Sequence, residues 1–308
     1  MRQDLFVCPR CRSRLERTTP DCLTCPRDVT EFRYVDGIWR FLLPERETHY
    51  QRFITDYETV RRFEGRGSSD GDYYRALPFK DLSGHFSADW AIRARSFQVL
   101  VKKVLTPLQK RFQLPLNILD LGAGNGWLSN RLASQGNNVV AVDLLVNEQD
   151  GLGAWKNYEH PFIPVQAEFN HLPVMDDFAD VAIFNASFHY SENYEGTLTE
   201  TIRALNENGL VVIIDSPIYH QHTSGEKMVE EREADYLALY GFASDSLESE
   251  NFLTHRRMRE LSNLLGVRWQ YICPFYGLRW WLRPVKARLL GQREPAKFYI
   301  IVGSNNSL

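Results

Sequence analysis

The stretch Leu116-Asn-Ile-Leu-Asp120-Leu-Gly122-Ala-Gly124-Asn-Gly126-Trp127 is a short apolar run that ends in a glycine turn. It passes directly into the helical pattern WLSNRLASQG. Gly122 permits the tight turn, while Gly124 and Gly126 let a ligand approach backbone that a Cβ would block. The helix that begins near Trp127 presents unpaired N–H groups and a partial positive charge, which suits a carboxylate. Downstream, NVVAVDLL reads as a second buried strand ending in Asp143. A carboxylate there can accept both hydroxyl protons of a ribose lying along the sheet edge. The dinucleotide fingerprint G-x-G-x-x-G does not fit, because its last position holds Trp127 and Gly126 comes one residue early. A nucleotide other than NAD is therefore the better match.

Outward from this turn the chain keeps an α/β rhythm. PFIPVQAEF, DVAIFNAS and LVVIIDSP are further strands, and TLTETIRALNENG is a helix closed by Gly209. Continuous apolar strands alternating with amphipathic helices predict a parallel sheet covered on both faces. Residues 221–265 form a polar, acidic helical segment. VRWQYICPF and AKFYIIVG are terminal strands joined by LRWWLRPVKARLLG. Upstream, Tyr50–Phe63 and Asp89–Leu105 read as helices, the latter from Trp90, Ala94, Phe97, Leu100, Val101 and Val104. GRGSSDGDYY between them reads as a loop. Pro44 and the polar residues after it mark a boundary. The expected division is a module over 1–44, a helical lid or linker over 45–110, and a core over 111–308 with an insertion at 219–265.

The 308 residues suffice for one sizeable domain and a small accessory module. With 44% hydrophobic and 24% charged residues the composition is that of a globular protein, and the net charge of -3 supplies no global basic field for nucleic acid. No apolar run approaches a membrane span, and MRQDLFVC lacks an apolar signal region, so a cytoplasmic location is expected.

The motifs DLGAGNGW, VVAVD, AEFNHLP, FADVAIFNASFHY and LNENGLVVIID, in this order over residues 88–218, resemble class I S-adenosylmethionine-dependent methyltransferases of the type 11 group. The resemblance implies a Rossmann-like, seven-stranded α/β core with helical lid additions. It implies that Gly122, Ala123, Gly124, Gly126 and Asp120 receive the methionine part of S-adenosylmethionine. It also implies that Asp143 holds the ribose, with Leu144 beside the adenine. Glu168 stands where aspartate is commoner and would contact the adenine amino group, with the Phe169 backbone serving the ring. Asn185 and Ala186 would face the methionine moiety.

Methyl transfer from a sulfonium is an in-line displacement, so alignment and exclusion of water are the main requirements. A general base is needed only where the acceptor must lose a proton. His189, Tyr190 and His220 are the candidates after strands four and five, with Tyr219 and His222 nearby. The acceptor is expected to be a small molecule. The added segments that would select it carry Asp72, Tyr73 and Tyr74 in the first and residues 219–265 in the second.

Cys8-x2-Cys11 and Cys22-x2-Cys25 are two knuckles that would place four thiolates around one tetrahedral ion. So small a segment buries little core, and the metal would supply its folding energy. Structural zinc is the favoured reading, with iron or disulfides as alternatives. The segment is similar to zinc ribbons that head 23S ribosomal RNA guanine methyltransferases, and VDGIWRFLLP is similar to the end of small activators of tRNA methyltransferases. Those likenesses keep an RNA methyltransferase as one alternative function, and a non-catalytic cofactor-binding scaffold as another. The basic residues of 255–297, with Arg279-Trp-Trp-Leu-Arg283, suit a phosphate, RNA, a membrane surface over 279–290, or a solvated helix face.

Overall fold

A computed structural model of the chain describes residues 5–112 and 115–304. Four short strands open it: β1 (Glu16–Thr19), β2 (Cys22–Thr24), β3 (Glu31–Val35) and β4 (Ile38–Arg40). Helices α1 (Pro44–Phe63), α2 (Gly71–Ala76), α3 (Ser87–Leu100) and α4 (Thr106–Phe112) follow, with a π turn joining α3 to α4. The alternating part comprises β5 (Asn117–Leu121), α5 (Trp127–Ala133), β6 (Asn138–Asp143), β7 (Ile163–Gln166), β8 (Ala179–Asn185), α6 (Tyr194–Ala204) and β9 (Leu205–Ile214). Then come β10 (Ile218–Tyr219), α7 (His222–Tyr240), β11 (Leu253–Thr254), α8 (His255–Leu265), β12 (Arg268–Ile272), α9 (Leu278–Trp281), α10 (Arg283–Leu289) and β13 (Ile300–Ser304).

Strands β5 to β9 pair in parallel in the order β7-β6-β5-β8-β9, and β13 and β12 extend that edge through antiparallel pairings. The strand order reverses at β5, so a crevice opens beyond the carboxyl ends of β5 and β8, where open α/β sheets bind ligands. Period-two alternation builds two cores. Leu119, Val140, Phe184 and Ile213 point to one face, and their neighbours Ile118, Val139, Ile183 and Val212 point to the other. The second face is covered by α2, α3 and α5, where Trp127 meets Trp90 and Phe97 edge-on. Its partner face is covered by α6 and α8 and by the N-terminal strands.

That last contact crosses the expected boundary at residue 44. Strand β4 pairs in parallel with β7, so the N-terminal ribbon continues the core sheet, which has eleven strands among the described residues. Phe6, Leu23, Phe32, Trp39 and Phe41 share one core with Val165, Leu172 and Val174. Nη1 and Nη2 of Arg12 each donate to Glu200 on α6 at 2.6 Å. The polar stretch that marks the expected boundary is the first turn of α1, with Pro44 at a position where its missing N–H costs nothing. Two further boundaries move. Residues 71–76 are helical, and α6 ends at Ala204, so that Leu205–Gly209 already belongs to β9.

Because Phe41 is fully buried between ribbon and core, Phe41→Ala should cost ~3–5 kcal/mol. Calorimetry should show ribbon and core unfolding in one transition. A separate, earlier transition would show that the ribbon folds on its own.

Candidate functional site

The crevice is a cavity whose floor is the glycine turn. Gly122, Ala123 and Gly124 line it, together with Asp143, Leu144, Glu168, Phe169, Asn185 and Ala186. Nine of the residues singled out from sequence thus meet in one place. The glycines divide the work differently from expectation. A Cβ on Gly122 would lie 2.3 Å from the Ser187 Cβ, and one on Gly126 would lie 2.7 Å from the Phe162 ring. Those two positions require glycine for packing, and Gly126 is not on the cavity wall. Only Gly124, at φ +54 with no neighbour closer than 3.7 Å, leaves its Cβ position open. Asp120 also lies below the cavity. Its Oδ2 accepts from Ser129 at 2.6 Å and its Oδ1 has no partner among the described residues. Burial pushes its pKa up to about 7 against the Ser129 hydrogen bond.

Asp143 accepts from the Gly124 N–H at 2.7 Å and from the Leu145 N–H at 2.8 Å. Burial outweighs these amides and raises its pKa to about 6. At the end of β8, Asn185 presents a buried Oδ1 that has no partner among the described residues. Ala186 beside it is held at φ +54 by its N–H bond to Ile214, a conformation that costs ~1 kcal/mol or more in an alanine.

Glu168 departs most from its expected role. Its carboxylate accepts from Arg46 Nε at 2.9 Å, Arg46 Nη2 at 2.8 Å and Tyr50 at 2.9 Å, and His171 Nδ1 lies 2.9 Å away. Burial would raise its pKa, but His171, Arg46 and Tyr50 together hold it down at about 2. The side chain braces α1 over the sheet edge while it also lines the cavity.

The wall opposite the glycine turn was not legible as a unit in the sequence. Tyr50, Phe53, Tyr57 and Arg61 recur along α1 at three- and four-residue spacing, and all face the cavity. Arg61 is paired with Asp150. From α3 come Trp90 and Arg93, whose guanidinium carbon lies 5.1 Å from the Trp90 ring centre. Periodicity gave the helices but not which side of them meets the crevice. The segments expected to select the acceptor contribute less. Tyr73 and Tyr74 are buried in the α2–α5 core, and only Leu247 of residues 219–265 reaches the cavity.

Of the three proton-transfer candidates, Tyr190 lines the cavity and packs on Phe53 and Tyr57. His189 does not line it. Its ring packs against Tyr190 with centroids 4.3 Å apart, on the side away from the cavity, and the His189 Nδ1 sits 3.2 Å from Ser216 Oγ. Burial, with Arg232 and Arg93 nearby, lowers its pKa to about 3. His220 is exposed, its N–H bonded to Glu294, and lies away from the cavity. His222 is half-exposed beside Glu226.

The cysteine cluster also differs from expectation. Ligand atoms of Cys8, Cys11, Cys25 and Asp28 lie within 4.8 Å of one another, and Cys22 is not among them. The reason is a duplicated turn. The Cys8 N–H donates to Ser13 O and the Arg12 N–H to Cys8 O; the Cys25 N–H donates to Thr30 O and the Val29 N–H to Cys25 O. Each turn ends on a left-handed residue, Arg12 at φ +62 and Val29 at φ +53. The second turn therefore starts at Cys25, which puts Asp28 where Cys11 stands in the first. Cys22 belongs to β2, with its thiol directed at the Leu23 carbonyl. The signal was present as Cys8-Pro-Arg-Cys11 against Cys25-Pro-Arg-Asp28, but the C-x-x-C spacing of Cys22 concealed it.

Residues 119–213 match the family described as a methyltransferase domain. A malonyl-[acyl-carrier protein] O-methyltransferase of Buchnera aphidicola is 30% identical over 97 residues, 32% of this chain and 38% of that protein. A ubiquinone biosynthesis O-methyltransferase of Rickettsia conorii is 24% identical over 174 residues, 56% of each chain. The chain thus spans about half or less of the length of these relatives. Among solved structures, Burkholderia thailandensis 1,6-didemethyltoxoflavin-N1-methyltransferase aligns with a TM-score of 0.47 at 13% identity, over 95% of this chain and 99% of that one. The residues matched by the family include the glycine turn, Asp143, Glu168 and Asn185 of the cavity.

The Glu168 contacts make a pH prediction. A depressed carboxylate pKa stabilises the fold above its ordinary value of 4.5, and that contribution disappears as pH falls toward about 2. Glu168→Gln should cost roughly 3 kcal/mol at pH 7. It should also flatten acid unfolding between those pH values in a circular-dichroism titration. An unchanged acid transition would rule the brace out.

Proposed function

We propose that the chain transfers a methyl group from S-adenosylmethionine to a small-molecule acceptor. The observation that carries this is one cavity joining the Gly122–Gly124 turn, Asp143 and the unpartnered Asn185 Oδ1 to an aromatic wall of Phe53, Tyr57, Trp90 and Tyr190. The residues fit the cofactor. Gly124 leaves room for it, Asn185 Oδ1 can accept from its amino group, and Asp143 can accept from ribose hydroxyls. Leu144 and Phe169 supply apolar surface for adenine. When bound, the cofactor supplies an electrophilic methyl on a sulfonium.

The protein's part is alignment and exclusion of water. Phe53, Tyr57, Trp90 and Tyr190 present ring surface suited to a dispersed positive charge and to a planar or apolar acceptor. Where the acceptor must lose a proton, we assign the relay to the hydroxyl of Tyr190, since of the three candidates it is the one that lines the cavity. An aromatic cavity of this kind favours a small molecule over RNA, which would call for an open basic groove. Two curated relatives carry names of O-methyltransferases, which supports an oxygen acceptor.

The reading includes a structural zinc ion held by Cys8, Cys11, Cys25 and Asp28. Tetrahedral zinc places thiolates ~3.8 Å apart, and the spacings here are 3.5 Å for Cys11–Cys25 and 3.2 Å for Cys8 to Asp28. Three thiolates and a carboxylate suit zinc better than iron of the four-thiolate kind.

Isothermal titration with S-adenosylhomocysteine should give a single site, and Asp143→Ala should weaken it at least about tenfold, as expected for a loss of ~1.4 kcal/mol or more. Since ribose donors favour the ionised carboxylate, affinity should rise as pH increases through about 6. No binding by the folded wild type would refute the assignment. Metal analysis tests the second claim separately. Cys22→Ser should retain one zinc per chain, whereas Asp28→Ala should lose most of it and lower the melting temperature. Loss of zinc in Cys22→Ser would restore the four-cysteine site.

A further inference from the structure

Helices α9 and α10 form a nearly continuous helical segment, since the N–H groups of Leu282 and Lys286 donate to Leu278 O and Leu282 O across the junction. Leu278, Trp281, Leu282, Val285 and Leu289 recur on it at intervals of three and four, the spacing of one helix face. That face is not buried: Leu278 is 70% exposed, Trp281 67% and Leu289 82%. Isolated exposed apolar residues need no explanation, but a contiguous patch of large ones marks an interaction surface.

The charges around the patch identify its partner. No aspartate or glutamate occurs between Glu260 and Glu294, while Arg268, Arg279, Arg283, Lys286, Arg288 and Arg293 do. Among the described residues Arg279, Arg283, Lys286 and Arg288 have no ion pair, and Arg283 lies over the Trp280 ring at 3.8 Å. Unpaired cations beside an exposed Trp and Leu face are what an amphipathic helix needs to lie in an anionic lipid interface. A second copy of the chain is a poor occupant, because two such faces would bring like charges together.

The placement fits a docking element. Strand β12 runs in the same direction as β9, because both are antiparallel to β13. The segment after it therefore leaves from the carboxyl edge of the sheet, the edge that holds the cavity. The approach loop is fixed to α3: Arg95 Nε donates to Phe275 O at 3.2 Å, and the Tyr276 hydroxyl lies 2.9 Å from Ser96 Oγ. The same helix supplies Trp90 and Arg93 to the cavity.

We infer that residues 278–290 bind the surface of an anionic lipid bilayer, with the Leu278–Trp281–Val285–Leu289 face inserted and Arg279, Lys286 and Arg288 against headgroups. This contact does not depend on the methyl-transfer reading.

The test is flotation of the full chain with vesicles of phosphatidylcholine alone and of phosphatidylcholine mixed with phosphatidylglycerol. Binding should require the anionic lipid and should fall when salt is raised to about 1 M, where screening shortens to ~3 Å. Arg279→Glu and Lys286→Glu should each lower the partition coefficient by about fivefold or more, and the exposed pair Trp281→Glu and Leu289→Glu should abolish it. The melting temperature of the chain alone should stay the same in these variants, which separates loss of the surface from loss of the fold. Binding to neutral vesicles equally well, or to neither kind, would overturn the inference. So would wild-type self-association in sedimentation that these substitutions remove, or binding to an acidic polypeptide in place of vesicles.

Discussion

The site is organised by the grip of Glu168 on α1. Its carboxylate lies at the carboxyl edge of the sheet, just after β7, and takes hydrogen bonds from Arg46 and Tyr50 on the first turns of the helix. A buried carboxylate with several donors is stable only while all of them are in place. It therefore sets both the position and the rotation of α1. The rotation in turn brings Phe53, Tyr57 and Arg61 over the glycine turn, and Arg61 closes the far end on Asp150. Without that grip the crevice beyond β5 and β8 would be an open groove.

The N-terminal ribbon serves the same geometry from behind. By adding β4 to β7 it extends the sheet, and by packing Trp39 and Phe41 on Val165 it stiffens the strand that precedes Glu168. The cysteine cluster and the cavity are thus joined through one strand pair, and α1 starts four residues after β4 ends.

The candidate functional elements are spread over the carboxyl edge. The glycine turn and Asp143 occupy its centre, the aromatic wall from α1 and α3 stands above them, and the basic apolar segment of α9 and α10 leaves the sheet beyond β12. Helix α3 belongs to two of these parts, since Trp90 and Arg93 line the cavity and Arg95 and Ser96 hold the loop before α9. An acceptor arriving from that side would meet aromatic surface first.

Much of this was legible along the chain. The alternating strands, the glycine turn and the acid closing the second strand follow from local rules: period two, period 3.6, and the need for glycine at positive φ. These are properties of a few consecutive residues, so a single sequence states them. What the sequence could not state depends on residues far apart in it. Asp28 replaces Cys22 because backbone hydrogen bonds, not C-x-x-C spacing, decide where a thiol turn begins. Tyr190 lines the cavity while His189, packed against its ring, meets Ser216 on the end of the neighbouring strand. Glu168 braces a helix 118 to 122 residues earlier because Arg46 and Tyr50 come to rest beside it. Local patterning determined the sheet and the place of the cavity; only packing across the sheet edge decided which side chains form its walls.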